Sequence, residues 1–273
     1  QAGLTGRKLN LIQYDDAYSP PKAVEQVRKL VEGDEVLFTF QIIGTPSNAA
    51  VQKYLNARKV PQLLASTGAS RFSDPQNAPW TIAFNPNYQS EGRIYAKYIL
   101  ANHPNAKIGI FYQNDDLGRD YIAGLKSGLG DKAASMIVAE VSYELTDPTV
   151  DSQIVKLKAA SVDLLYDAST PKFAAQAIRK VADLDWHPVH ILDINASPVS
   201  ATLKPAGLDI SKGIISTNYG EDPADPQWKD DPGVKAYFAF MDKYYPEGDK
   251  LNTVNTYGYS TAELLIQVLK QCG

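Results

Sequence analysis

Short apolar, β-rich runs alternate with amphipathic stretches along nearly the whole chain, the pattern that arises when parallel strands are joined by crossover helices. The runs that read as strands are residues 8–14, 36–41, 62–66, 107–112, 137–143, 163–168, 190–193 and 213–219. Those that read as helices are 21–31, 48–57, 90–101, 118–129, 152–160, 172–181, 234–245 and 257–270. Asp147-Pro148 and Thr170-Pro171 mark helix starts, because a first-turn proline gives up an N–H that has no partner inside the helix. The fold class is therefore α/β.

The alternation breaks twice. Asp74-Pro75, Pro79 and Pro86 restrict the backbone around the short run 80–84, and the βα rhythm restarts at 107–112, after His103-Pro104-Asn105, where a crossover is expected. Residues 221–233, rich in proline and acidic side chains, interrupt it again before two closing helices and mark the return. The expected division is one lobe from residues 1–104 and 232–273 and a second from 105–231. Neither a solenoid-type repeat nor a low-complexity tract is present.

Composition narrows the function classes. The 273 residues carry 27 Lys and Arg against 31 Asp and Glu, a net charge of −4, which does not attract a phosphate backbone; nucleic acid is not an expected partner. No apolar run approaches the roughly 20 residues that span a bilayer. The single cysteine, Cys272, can form neither an internal disulfide nor a cysteine-rich metal site. The chain opens at Gln1 rather than Met, so a processed or trimmed product is expected, and a signal peptide would not be visible.

Several motifs in order carry a resemblance. Gly6-Arg7-Lys8 before a strand, Tyr14-Asp15-Asp16, Pro20-Pro21-Lys22-Ala23-Val24 and Gly44-Thr45-Pro46-Ser47-Asn48 come first. Asn114-Asp115-Asp116-Leu117-Gly118 opening a helix, and Val162-Asp163-Leu164-Leu165-Tyr166 followed by Pro171, continue the series. Together they resemble the periplasmic solute-binding proteins of branched-chain (hydrophobic) amino-acid ABC transporters. The resemblance implies the type I periplasmic binding protein fold: two doubly wound parallel-sheet lobes with a ligand cleft between them. It also implies a periplasmic, monomeric protein without catalysis or cofactor, whose partners are a small-molecule ligand and a membrane permease. The family begins with a strand, turn and helix ahead of Gly6, so a first βα unit of roughly 30 residues is expected to be missing, which would leave rows of backbone groups unpaired. The end after Cys272-Gly273 looks clipped as well.

In open α/β sheets, ligands bind beyond the carboxyl ends of strands. The first candidate is Gly44-Thr45-Pro46-Ser47-Asn48, where a strand gives way to a helix whose free N–H groups and hydroxyls suit a carboxylate. Thr45 and Ser47 could equally serve only as caps; Thr45 matches a ligand-contacting position in the family. The second is Ser66-Thr67-Gly68-Ala69-Ser70, a small-residue turn after a strand that lets backbone amides approach a ligand. From the second lobe the resemblance points to Leu117, Ser169, Thr170, Asp193, Asn195 and Tyr219, the last at a strand end. Family members that take aliphatic amino acids place a tyrosine where Leu117 and Ser169 stand and an acidic residue near Ile194. Here only Asp193 could meet an ammonium by a charge-assisted bond; if Asp193 is a turn or cap residue, the ligand is a carboxylate without an amine. The smaller residues at 117 and 169 favour bulkier or aromatic ligands.

Other patterns carry less. His187 and His190, with His103 the only other histidine, read as loop and strand residues rather than zinc ligands. Gly124, Gly128 and Gly130 lack dinucleotide-fingerprint spacing and read as packing and C-cap glycines. Asn195-Ala196-Ser197 reads as a capped turn, the 222–231 acidic run as ordinary turns, and Tyr95 as a packing residue with a solvated hydroxyl. No nucleophile elbow or Ser/His/Asp set supports an enzyme. The expected function is capture of a small hydrophobic amino acid for transport. The alternatives are the same role for an amine-free aromatic or hydrophobic carboxylate, and an effector-sensing domain, which lacks support from any helix-turn-helix or basic segment.

Overall fold

The computed structural model describes residues 7–272. They form two compact units, one of residues 7–67, 72–85 and 220–272, the other of residues 68–71 and 86–219. The division expected at 104/105 thus falls at 85/86, and that expected at 231/232 falls at 219/220.

The first unit contains α1 (Pro20–Arg28), β1 (Thr39–Phe40), α2 (Thr45–Arg58), β2 (Gln62–Ala65) and β3 (Thr81–Ala83). The three strands form a parallel sheet in the order β1-β2-β3. Ala23 and Val27 of α1 pack against Val51 and Leu55 of α2 to make a buried apolar cluster. β1 is short because Gln41 turns to a positive φ of 56°, matched by Leu64 at 51° on β2. The Gln41 side chain donates from Nε2 to Leu64 O at 2.5 Å across this irregularity, and pairing resumes at Ile43 and Ser66.

The second unit holds a four-stranded parallel sheet in which residues 137–143, 108–113, 164–168 and 189–192 lie side by side in that order. In chain order its elements are α3 (Tyr88–Asn102), β4 (Ile108–Gln113), α4 (Asp116–Leu129), β5 (Ile137–Tyr143), α5 (Asp151–Ala159), β6 (Leu164–Ala168), α6 (Pro171–Asp183) and β7 (Val189–Leu192). β6 is buried at every position, as expected for an inner parallel strand covered on both faces. One face meets Ile154, Leu157, Phe173 and Ala177 of α5 and α6.

Helix α3 belongs with this unit because it lies tightly along α4. A Cβ on Gly124 would come 2.3 Å from Gln89 O, one on Gly128 2.5 Å from Ala96 Cβ, and one on Gly92 2.7 Å from Tyr121 O. The glycines read as packing residues therefore set this approach, and Gly130, with φ 57°, closes α4.

Two expected strands do not form. Residues 8–14 make no ladder after a single bridge residue at Arg7, and Leu9 and Leu11 are exposed. A strand needs a partner edge, and among the described residues β1 pairs with β2. Of 213–219, Ile215 alone makes a bridge, to Ile191. Two residues on, the Thr217 amide donates to the Tyr95 hydroxyl at 3.0 Å, so a side chain takes the backbone group that a ladder would have used.

The last two helices, α7 (Pro232–Tyr244) and α8 (Thr253–Cys272), belong to the first unit. No helix among the described residues is long and apolar enough to cross a membrane.

Candidate functional site

In the first unit the candidate residues gather at the carboxyl end of the sheet. Helix α2 begins at Thr45, three residues ahead of the expected start at 48, so Thr45 and Ser47 lie in its first turn. The helix starts there because Pro46 is tolerated in a first turn and Asn48 Nδ2 donates to both Ile42 O (2.7 Å) and Gly44 O (2.8 Å), holding the preceding strand end. Gln62 Nε2 donates in turn to Asn48 Oδ1 at 2.7 Å. The N-cap is Gly44, which has no side chain to cap with, so neither Thr45 nor Ser47 is a cap residue.

Their hydroxyls have different partners. Thr45 Oγ1 lies 2.8 Å from Thr67 Oγ1, joining the two candidate loops by a buried hydroxyl pair. Ser47 Oγ donates to Asp16 Oδ2 at 2.7 Å, so its proton is spent on tying the 15–18 turn to α2. Ser66 is held at both levels: its amide donates to Ile42 O and its carbonyl accepts from the Gly44 amide, each at 3.0 Å.

The small-residue turn is divided. Gly68 and Ala69 are buried in the second unit, where a Cβ on Gly68 would lie 2.1 Å from Pro86 O. The Ser70 amide and hydroxyl donate to Asp120 Oδ2 and Oδ1, at 2.6 and 3.0 Å, and Gln89 Nε2 donates to the same Oδ1 at 2.7 Å.

The second unit's candidates fall into two groups. Thr170 precedes α6, and its amide donates to the Tyr143 hydroxyl at 3.0 Å. Its Oγ1 lies 3.1 Å from that hydroxyl and 3.3 Å from Gln113 Oε1. Ser169 beside it is fully buried, and its Oγ has no hydrogen-bond partner. Leu117 is buried in the first turn of α4, its amide donating to the N-cap Asp115 at 2.9 Å.

Asp193 and Asn195 belong to a buried network that sequence reasoning did not find. Asp193 Oδ1 accepts from the Asn195 amide (2.9 Å) and Asn195 Nδ2 (2.8 Å), and so caps the 194–196 turn, with the Tyr121 hydroxyl 3.4 Å away. Its Oδ2 is buried without a partner. Glu91 of α3 accepts from the Ile194 amide (2.9 Å), the Thr217 hydroxyl (2.8 Å) and the hydroxyls of Tyr95 (2.9 Å) and Tyr121 (2.6 Å). Burial first, then the charges of Glu91 and Asp167, push the Asp193 carboxyl well above the usual carboxylate range. Burial likewise raises the Tyr121 phenol, with Asp193 and Glu91 adding to the shift.

Several expectations change accordingly. The Tyr95 hydroxyl is not solvated but buried against Glu91 and Leu192 O. Tyr219 is half-exposed in irregular chain, so its strand-end placement fails because no strand forms there. The Glu91–Tyr95 spacing of four places both on one helix face, a signal the sequence contained. His187 sits in an exposed loop, and His190 on β7 pairs with Asp167 at 3.2 Å. Among the described residues no group of three or more His, Cys, Asp or Glu side chains is arranged to hold a metal ion.

Parallel sheets with hydroxyl-bearing residues just beyond their strand ends are the architecture in which open α/β proteins hold ligands. Comparison with known proteins supplies the family: residues 1–273 match the model of the periplasmic binding protein family, and the chain belongs to it. No curated protein sequence gives a match. Among solved structures, a possible leucine/isoleucine/valine-binding protein from Rhodopirellula baltica SH 1 is similar with TM-score 0.85 and 23% identity, over 98% of this chain and 71% of that one. A substrate-binding periplasmic protein from Ralstonia solanacearum gives 0.85 and 22%, over 100% and 75%. A solute-binding protein of an ABC transporter from Rhodopseudomonas palustris BisB5, in complex with 3,4-dihydroxybenzoic acid, gives 0.77 and 18%, over 99% and 72%. The fold is that of the type I periplasmic binding proteins, as the sequence resemblance implied, and family and fold are those of solute-binding proteins.

Proposed function

We propose that this chain is the extracytoplasmic solute-binding component of an ABC transporter and that it takes a small aromatic or hydrophobic carboxylate without reading an amine. The observation that carries the ligand reading is Asp193. The residue best suited to hold an ammonium spends Oδ1 on capping its own turn and lies fully buried. Its carboxyl, pushed upward by burial and by neighbouring Glu91, favours the neutral form, a poor partner for a cation. The carboxylate end is assigned to Thr45, whose hydroxyl pairs with Thr67 at the positive end of α2. The neighbour solved with 3,4-dihydroxybenzoic acid supports this ligand class. An amino-acid ligand, supported by the neighbour described as possibly leucine/isoleucine/valine-binding, is the second reading; in it the unpartnered Asp193 Oδ2 meets the ammonium. A membrane permease is the implied protein partner.

Calorimetry with leucine, phenylalanine, 4-hydroxybenzoate and 3,4-dihydroxybenzoate separates the two. The proposal expects an aromatic acid to bind and leucine to bind weakly or not at all; tight leucine binding that Asp193→Asn abolishes overturns it. Thr45→Val, which keeps the shape and removes the hydroxyl, is expected to weaken the bound acid by about 1–3 kcal/mol. An unchanged dissociation constant in the folded variant would move the carboxylate away from Thr45.

A further inference from the structure

Tyr257, on the long C-terminal helix α8, is joined to the strand ends of the first unit by bonds that the sequence did not announce. Its phenol oxygen lies 2.6 Å from Asn85 Oδ1 and 2.9 Å from Ser66 Oγ. A phenol has one proton, and the amide oxygen of Asn85 has none, so the phenol donates to Asn85 and the Ser66 hydroxyl donates to the phenol oxygen. The ring is fixed independently, edge-on to Phe84 with centroids 5.1 Å apart. The phenol is pushed upward by burial, so it stays a neutral donor.

Ser66 is the residue through which this hold reaches the carboxylate anchor. Its backbone accepts from the N-cap Gly44 and donates to Ile42, and its neighbour Thr67 makes the hydroxyl pair with Thr45. A displacement of Ser66 therefore moves both partners of that pair. We infer that Tyr257 is a positioning residue for the ligand carboxylate, acting through Ser66 without touching the ligand, so that the C-terminal helix sets the affinity of a site built at the other end of the sequence. The inference rests on the carboxylate reading of Thr45 and Thr67.

The test is Tyr257→Phe in the full chain, which keeps the ring and its contact with Phe84. With 4-hydroxybenzoate and 3,4-dihydroxybenzoate as probes, the variant is expected to bind whichever acid the wild type binds about tenfold more weakly. In a Ser66→Ala background the same change is expected to cost less than about twofold, because the route through Ser66 has already been cut. Equal losses in both backgrounds would make Tyr257 a general structural residue and overturn the inference, as would unchanged affinity. Hydrogen exchange without ligand gives an arm independent of the ligand class: the amides of Ser66 and Thr67 should exchange about fivefold faster in Tyr257→Phe, with those in the middle of α2 unaffected. If the wild type binds neither acid, the aromatic-carboxylate reading falls and the positioning role falls with it, while the exchange arm still decides whether Tyr257 holds Ser66: acceleration at 66 and 67 upholds that hold, and no change refutes it.

Discussion

Gly44→Ala is expected to lower stability by about 2–4 kcal/mol and to weaken carboxylate binding with it. Two costs coincide at this position. Its backbone, φ 90° and ψ 146°, lies close to the region that side-chain-bearing L-residues essentially avoid. A Cβ built there would also come 2.2 Å from Cε2 of Tyr18, whose ring covers the glycine. Gly213 offers a comparison, since its φ is 86° but nothing lies within 4 Å of a Cβ there; Gly213→Ala carries a positive-φ cost without a clash. Urea denaturation of both variants measures the difference. Equal midpoints for the two would show that the Tyr18 ring moves aside freely, and a wild-type midpoint for Gly44→Ala would contradict the whole account.

Asp193→Asn is expected to be more stable than the wild type at pH 8, with the advantage shrinking toward pH 4. The sign follows from the folded-state carboxyl holding its proton to higher pH than the unfolded chain, whose Asp titrates near about 3.9. As pH rises past that value the unfolded state releases a proton that the folded state keeps. Wild-type stability therefore falls, by up to about 1.4 kcal/mol per pH unit, until the raised folded-state value is passed. Asparagine retains Oδ1, the atom that accepts from Asn195, and removes the titration. Denaturation curves from pH 4 to 8 that run parallel for the two proteins would remove Asp193 as the source of the dependence.

The two outcomes bear on what can be read from a chain of letters. The α/β class and most elements were legible because amphipathic periods are local: β4, β5, β6 and the helices between them lie within a few residues of the expected bounds, although α5 starts at Asp151 with Val150 as its N-cap and not at Asp147-Pro148. The 8–14 and 213–219 runs have equally strand-like composition, but a strand is completed by a neighbour, and the letters do not say whether one is there. At the candidate site, the Gly44–Asn48 loop was visible as a strand-to-helix turn. That Ser47 would bond Asp16 while Thr45 bonded Thr67 was not, since both residues carry the same hydroxyl and only the backbone path separates them. Glu91 escaped notice because a single acidic residue on a helix is ordinarily solvated. It becomes central only when Ile194 and Thr217, more than a hundred residues away, bring donors to it.

The way the units divide the chain also has a temporal side. Residues 86–219 run without interruption, so the second unit's strands and their connecting helices emerge one after another and can pair with neighbours already made. The first unit begins earlier but closes last: Tyr257 meets Ser66 only across a separation of 191 residues. Closure of that long loop comes late in folding, and until it does the ends of β2 and β3 lack the phenol that joins them. Pulse-labelled hydrogen exchange during refolding should accordingly protect the amides of β4 and β6 before that of Ser66, and simultaneous protection would contradict this order. The half of the molecule that carries the proposed carboxylate anchor is thus the half whose maturation waits for the final stretch of polypeptide.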